Sequence, residues 1–168
     1  DSHDLTILQR LSLFEEVCLA VSFAHQNLVI HRDIKPGNIL VTSTGTPKLL
    51  DFGIAKLLDS EDRGTTELTV QGAGAFTPEY ASPEQAQNTV VTTSSDIYSL
   101  GALLYTLLTG QRPYEFQDRS PASIREIIST TMPVLPSRIV MNPSTSGGQS
   151  PHLSPAKRRR LLQGDLDN

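Results

Sequence analysis

The chain has 168 residues, of which 38% are hydrophobic, and this suffices for one core or most of one, because single domains commonly contain about 100–200 residues. Its formal net charge of −4 provides no general basic field, so the composition argues against nucleic acid and anionic membranes as partners. The single cysteine, Cys18, excludes an internal disulfide, and no apolar run approaches the roughly 18 residues of a membrane span. We therefore expect a soluble, cytoplasmic segment without membrane contact, while an anchor elsewhere in a full-length protein stays an open question.

The first part of the chain predicts one long helix followed by short strands. Apolar residues recur at intervals of three and four across residues 5–28, which predicts a one-sided helix whose stripe contains Leu8, Leu11, Phe14, Val17, Cys18, Val21 and Ala24. On the same apolar side, Cys18 and His25 are interpreted as core residues. Three β-prone runs at 28–30, 39–41 and 48–50 predict short strands, and the polar, aperiodic residues 59–75 predict a mobile surface loop.

The second part predicts three helices and a long irregular connection. "SPEQAQ" predicts a short helix with Ser82 as its N-cap, and residues 95–109 predict a helix that is apolar on nearly every face and ends at Gly110. Residues 120–130 predict a weaker helix. Residues 132–160 are rich in Pro, Ser and Gly, which predicts an irregular connection in which "KRRR" (157–160) is a solvated run, and "RRLLQGDLDN" predicts the opening of a further helix.

Two short polar stretches carry the chemistry. "HRDIKPGNIL" places Asp33, Lys35 and Asn38 in one loop, and "DFG" begins at Asp51 after the next pair of strands. Two strands joined by a turn would bring Asn38 and Asp51 together, so that an amide oxygen and a carboxylate could share a hard cation such as Mg²⁺ or Mn²⁺. Asp33 could accept the proton of an attacking hydroxyl, and Lys35 could reach a phosphate, which is the division of labour that phosphoryl transfer requires.

Four stretches, "HRDIKPGNIL", "DFGIAK", "TPEYASPEQ" and "DIYSLGALLYTLLTGQRPY", resemble the catalytic loop, metal loop, end of the activation segment and central helix of protein kinases. A lysine two residues after "HRD", here Lys35, resembles the pattern of the serine/threonine class of kinases. The four motifs taken together resemble those of bacterial, eukaryotic-like Ser/Thr kinases. The resemblance implies a mainly α fold, the helical large lobe of a kinase with a few short β-strands around the catalytic and metal loops. It also implies phosphoryl transfer from ATP to Ser or Thr hydroxyls of a protein substrate.

The resemblance implies a role for each matching residue of the site. Asp33 would be the catalytic base, and Lys35 would contact the phosphate of the co-substrate beside Thr77 of the substrate-binding loop, which Tyr80 would line. Asn38 and Asp51 would hold the metal ion. Leu40, with its neighbours Ile39 and Val41, would form the floor under the adenine of ATP.

Other matching residues would regulate or support this site. Arg32 would sense phosphorylation of the activation loop, for which Thr65, Thr66 and Thr69 are the candidate acceptors. His31 and Phe52 would pack in the spine between two lobes, and Asp96 would accept backbone N–H groups of the catalytic loop. Glu84 would form half of a buried salt bridge with an arginine that is expected to lie beyond Asn168.

Alternatives remain open at this point. "HRD" or "DFG" alone could be an ordinary turn, and Asp96 could be a plain helix-start carboxylate. Residues 1–168 are interpreted as a partial kinase domain, without the ATP-binding small lobe and the last helices, so the isolated chain is expected to be inactive. The alternative function is a non-catalytic, kinase-like binding module, but Asp33, Asn38 and Asp51 favour the kinase because a binding module has no need of metal ligands.

Overall fold

The computed structural model describes residues 5–52, 77–140 and 154–167. In chain order it has the helix α1 (Ile7–Gln26), the strands β1 (Ile39–Val41) and β2 (Pro47–Leu49), and the helices α2 (Pro83–Ala86), α3 (Thr93–Thr109), α4 (Pro121–Thr130), α5 (Pro136–Ile139) and α6 (Pro155–Leu162). Single 3₁₀ turns occupy Pro36–Asn38, Pro78–Tyr80 and Asp165–Asp167. The described part of the chain is therefore mainly α, as predicted.

The helices begin and end where local chemistry dictates. At the start of α1 the Thr6 side chain accepts from the Gln9 N–H, and the Gln9 side chain accepts from the Thr6 N–H. An equivalent reciprocal cap joins Ser82 and Gln85 at the start of α2. Gly110 ends α3 with φ 74, a left-handed conformation that glycine adopts without a Cβ clash.

The main core lies between α1 and α3, and the two-stranded sheet closes one side of it. Its buried members are Val17, Val21, Ile34, Leu100 and Leu103, with Phe14, Cys18, Ile39, Leu49 and Leu107 packed against them. In the antiparallel sheet Ile39 pairs with Leu49 and Val41 with Pro47. The predicted apolar stripe of α1 is thus largely confirmed, although Leu8 is 76% exposed.

Two smaller clusters extend this core. Leu162 of α6 is fully buried against Ile7 of α1 and Leu108 of α3. Tyr114 packs with Ile124 and Ile128 of α4. No helix in residues 5–52, 77–140 or 154–167 is long and apolar enough to cross a membrane.

Three predictions about local structure are wrong. Residues 28–30 form no strand, because Leu28 has φ 60 in a turn that closes α1 and its N–H donates to the His25 carbonyl. The second strand of the sheet lies one residue earlier than predicted, at Pro47–Leu49. The predicted loop at 59–75 lies outside the described residues.

The predicted irregular connection at 132–160 is the third error, because α5 and the first six residues of α6 fall inside it. Ser154 caps α6 by accepting from the Lys157 N–H, and Pro155 occupies its first turn. Burial of Leu162 then secures the helix. The stretch "RRLLQGDLDN" consequently contains the end of a helix, not its opening.

Candidate active site

One buried carboxylate holds the backbone of the "HRD" loop. Asp96, in the first turn of α3, is fully buried. Its Oδ2 accepts from the His31 N–H at 2.8 Å, and its Oδ1 accepts from the Arg32 N–H at 2.8 Å. These are the backbone contacts that the resemblance implied for Asp96, and they tie the loop to the central helix of the core.

His25 supplies a third donor to this carboxylate, and sequence reasoning missed it. The His25 ring is half-buried, and its Nε2 lies 2.8 Å from Asp96 Oδ2. Its interpretation as a plain core residue is therefore wrong, because its polar edge faces a buried anion. Nothing local in the sequence pointed to this contact, since the two residues are 71 positions apart.

The side chain of Asp33 lies at the centre of a short hydrogen-bonded chain. Asp33 Oδ2 is 2.8 Å from Lys35 Nζ and accepts from Asn38 Nδ2 at 2.8 Å. The same Lys35 Nζ donates to Thr77 Oγ1 at 3.2 Å. Four of the predicted site residues, Asp33, Lys35, Asn38 and Thr77, are thus brought together although Thr77 is 42 positions from Lys35.

His31 supports this loop from inside as a neutral ring. Burial lowers the pKa of His31, against the opposing attraction of the Asp96 carboxylate and the hydrogen bond to the Leu50 carbonyl. The ring Nε2 donates to that carbonyl at 3.1 Å, and Nδ1 accepts from the Asp33 N–H at 3.4 Å. Phe52 packs against the ring at a tilt of 38° with centroids 4.7 Å apart, so His31 links the "HRD" loop to the "DFG" stretch.

The residues predicted to hold a metal ion have suitable donor atoms. The Leu50 N–H donates to the Asn38 carbonyl at 2.8 Å, which places the segment leading to Asp51 beside Asn38. Asn38 Nδ2 donates both to the Asp33 carbonyl and to Asp33 Oδ2, at 2.8 Å each, so Asn38 Oδ1 points away from Asp33. Asp51 is exposed. An amide oxygen and a carboxylate fit Mg²⁺, which keeps several waters and phosphate oxygens as further ligands. In the described residues, no three or more His, Cys, Asp and Glu side chains form a metal-holding cluster of their own.

Comparison with known proteins decides the family. The profile described as "Protein kinase domain" matches residues 4–153. The chain belongs to the protein kinase family. It is 42% identical over 121 residues to serine/threonine-protein kinase PknB of Mycobacterium tuberculosis (strain H37Rv), which covers 71% of this chain and 18% of that protein. It is 38% identical over 136 residues to serine/threonine-protein kinase PrkC of Bacillus subtilis (strain 168), covering 81% of this chain and 20% of that protein. The chain spans about a fifth of the length of these curated relatives, which are both bacterial Ser/Thr kinases.

Glu84 of "SPE", whose predicted arginine partner is expected beyond residue 168, accepts from a neighbouring hydroxyl in the described residues. Glu84 is half-buried and accepts from the Ser95 hydroxyl at 2.5 Å, with no ion pair to a residue that the structure describes. Burial raises the pKa of Glu84, but hydrogen bonds from Ser95, from its own backbone and from Ser82 outweigh burial and lower it overall. Within the described residues the Ser95 hydroxyl satisfies this carboxylate, and the salt bridge to an arginine beyond Asn168 stays a prediction.

Two arginines bind the carboxylate of Glu79. It is 4% exposed, and its Oε1 lies 2.6 Å from Arg112 Nη1 and 2.7 Å from Arg119 Nη2. This ion-paired group anchors the 3₁₀ turn Pro78–Tyr80 directly after Thr77. The sequence did not predict these ion pairs, because the two arginines lie 33 and 40 positions from Glu79. Only the packing of α3 and the segment after it brings them close to the carboxylate.

The remaining predicted residues fall into three groups: two in β1, one directly after Pro78–Glu79, and three outside the described residues. Leu40 and Val41 of β1 are 58% and 52% exposed, so an apolar surface is open beside Asn38. Tyr80 is buried, its N–H donates to the Thr77 carbonyl at 3.2 Å, and its carbonyl accepts from Ser99 Oγ at 2.8 Å. The candidate phosphorylation sites Thr65, Thr66 and Thr69 lie outside the described residues.

Proposed function

We propose that the gene product containing this chain is a protein kinase that transfers the γ-phosphoryl group of ATP to Ser or Thr hydroxyls of a protein substrate. The observation that carries this proposal is the chain of contacts from Asn38 through Asp33 and Lys35 to Thr77. It places a carboxylate, a cation and a neutral hydroxyl-bearing loop side by side. Family membership and the names of the relatives support the Ser/Thr assignment.

Asp33 is proposed as the base. Asn38 and Lys35 both approach Oδ2, which fixes the direction of the carboxylate. A substrate hydroxyl that hydrogen-bonds to this carboxylate would be oriented for attack and would lose its proton to Asp33 as the new O–P bond forms. The bridging oxygen between the β and γ phosphorus atoms leaves with ADP.

Lys35 is proposed as the residue that contacts the transferred phosphoryl group. Its ammonium group contacts Asp33 and Thr77, and we propose that it also contacts the transferring phosphoryl oxygens when ATP is bound. The hydrogen bond to Thr77 holds the ammonium group toward the proposed substrate-binding loop. The positive charge of Lys35 would therefore stabilise the negative charge of the phosphoryl group during its transfer. Lys35 itself would form no covalent bond to it.

Asn38 and Asp51 are proposed as metal ligands, and Leu40 as part of the adenine floor. Asn38 Oδ1 and the exposed Asp51 carboxylate offer hard oxygen atoms that suit Mg²⁺, and Mn²⁺ has the same ligand preference. When bound, Mg²⁺ neutralises charge on the phosphates of ATP. The exposed apolar side chain of Leu40 is available to an adenine ring.

The domain assignment is part of the same proposal. We assign this chain to the large, mostly helical lobe of the kinase domain, with residues 59–75 as the activation loop. Arg32 is the proposed receptor of a phosphate on Thr65, Thr66 or Thr69, because a guanidinium group binds phosphate with paired hydrogen bonds. Its place beside the base would couple that phosphate to catalysis.

The test uses the full-length gene product with Mg²⁺, γ-labelled ATP and a Ser/Thr-containing protein substrate. Asp33→Asn preserves the size of the side chain and should lower transfer at least about a hundredfold, because it removes the base. Asp165→Asn is the matched control, since it makes the same chemical change on the surface, and it should transfer phosphate like the wild type.

Two outcomes would refute the proposal. Undiminished transfer by Asp33→Asn would refute the role of Asp33. Absence of transfer by the wild type, with retained binding of Ser/Thr substrate, would identify a non-catalytic binding module instead.

A further inference from the structure

The peptide that precedes the proposed base has an unusual conformation. Arg32 has φ 67, a left-handed backbone that residues with a Cβ rarely adopt. Such conformations persist only where the surroundings hold them, and they concentrate at functional sites. The Arg32 N–H is held by Asp96 Oδ1 at 2.8 Å, so the central helix secures one side of this residue.

Gln85 secures the other side. Its Nε2 donates to the Arg32 carbonyl at 2.7 Å, and its Oε1 accepts from the Ser82 N–H at 3.0 Å. The orientation of the amide is unambiguous, because the Ser82 N–H can only donate and the Arg32 carbonyl can only accept. The Gln85 side chain therefore both caps α2 and hydrogen-bonds to the "HRD" loop.

The gripped carbonyl belongs to the same peptide plane as the Asp33 N–H. That N–H makes a long contact, 3.4 Å, to His31 Nδ1, and the shorter 2.7 Å hydrogen bond from Gln85 to the carbonyl of the same plane limits rotation of the plane. The Asp33 side chain projects from the end of this plane. A tilt of the plane would move the carboxylate relative to an acceptor hydroxyl, and small displacements of a catalytic group reduce rates strongly.

We propose that Gln85 is a positioning residue for Asp33, which it orients through the Arg32 carbonyl. The proposal rests on the proposed kinase function. The competing explanation is that Gln85 serves only as the cap of α2.

Gln85→Glu separates the two explanations. A glutamate keeps the oxygen that accepts from Ser82, and glutamate is a preferred residue at this capping position. It has no N–H to offer the Arg32 carbonyl and places an oxygen against it. The variant therefore preserves the cap of α2 and removes the hydrogen bond to the Arg32 carbonyl.

Two matched variants control for the cap and for the added charge. Gln9→Glu makes the same change in the capping box of α1, where Gln9 accepts from the Thr6 N–H at 2.8 Å. Gln87→Glu places the same charge two residues further on, at an exposed position whose amide donates to Ser129 Oγ. In the described part of the chain, neither Gln9 nor Gln87 hydrogen-bonds to the "HRD" loop.

In the full-length gene product we expect Gln85→Glu to lower kcat at least about tenfold while KM for ATP changes less than about twofold, because the defect lies in orientation and not in nucleotide binding. Gln9→Glu and Gln87→Glu should have wild-type kcat. Amide hydrogen exchange at Arg32 and Asp33 should be at least about tenfold faster in Gln85→Glu, while exchange of the Ala86 amide in α2 stays at the wild-type rate.

The proposal is overturned if kcat of Gln85→Glu stays within about twofold of the wild type, or if Gln87→Glu lowers kcat equally. Faster exchange at Ala86 to the same extent as at Asp33 would also overturn it, because the variant would then have lost its cap. If the wild type transfers no phosphate, the kinase proposal fails by itself. The exchange rate at Asp33 then still decides whether Gln85 holds the loop.

Discussion

Replacement of Asp96 by asparagine should loosen the "HRD" loop by a measurable amount. In the native structure two carboxylate oxygens serve three donors, the N–H groups of His31 and Arg32 and the ring of His25. An asparagine has one oxygen and one NH₂ group. Whichever way its amide is oriented, at least one of the two backbone N–H groups loses its acceptor and faces another donor.

The magnitude follows from the burial of this residue, which is 0% exposed. A hydrogen bond to a charged group contributes about 1.5–3 kcal/mol, and a donor left unpaired in the interior adds a desolvation penalty. We therefore expect the free energy of opening of this loop to fall by about 3 kcal/mol. That is about two powers of ten in the opening equilibrium, since about 1.4 kcal/mol corresponds to tenfold.

Hydrogen exchange with mass spectrometry on the full-length gene product measures this opening directly. A peptide that contains His31 and Arg32 should exchange about a hundredfold faster in Asp96→Asn than in the wild type. Asp165→Asn carries the same change on the surface and should exchange like the wild type. An increase of less than about threefold in Asp96→Asn would show that the carboxylate does not hold the loop.

Three further substitutions test other parts of the fold. Glu79→Gln should lower the free energy of unfolding by about 1–2 kcal/mol. The loss is smaller than for a fully buried ion pair, because the side chains of Arg112 and Arg119 are 53% and 62% exposed and water can solvate them in the variant. Burial raises the pKa of Tyr105 to about 12, from about 10 in the unfolded chain, so its contribution to stability is complete below pH 10 and is lost as the pH rises to about 12. Tyr105→Phe should therefore flatten the decline in unfolding free energy over that interval. Leu162→Ala removes a fully buried side chain and should destabilise the fold by about 2–5 kcal/mol in chemical denaturation.

Each of these expectations can fail in a recognisable way. Thermal unfolding of Glu79→Gln that matches the wild type at low and high salt would mean that the two ion pairs contribute nothing. An alkaline stability curve of Tyr105→Phe parallel to that of the wild type would contradict the raised pKa. Leu161, the neighbour of Leu162, is 52% exposed, and Leu161→Ala is the matched control. Equal losses in the two leucine variants would contradict the core position of Leu162.

Local sequence determined the secondary structure wherever the signal was itself local. The apolar period of α1, the cap at Ser82 and the stop at Gly110 all act within a few residues, and each predicted an element that the structure contains. One failure arose where two local signals competed. The composition rich in Pro and Ser masked α6, although Ser154 is a good cap and Pro155 suits the first turn of a helix.

The sequence by itself also determined which chemical groups meet at the centre of the site. Asp33, Lys35 and Asn38 lie within six consecutive residues, so their proximity needed only a loop, and the resemblance to protein kinases implied that Thr77 would join them. What only the tertiary structure decided is which long-range partner holds each group: His25 on Asp96, Arg112 and Arg119 on Glu79, Gln85 on the Arg32 carbonyl. The physical reason is that a hydrogen bond or ion pair depends on distance and direction in space. A residue type states what a side chain can donate or accept, whereas the packing of α1, α2 and α3 around the loop determines which partner lies within reach.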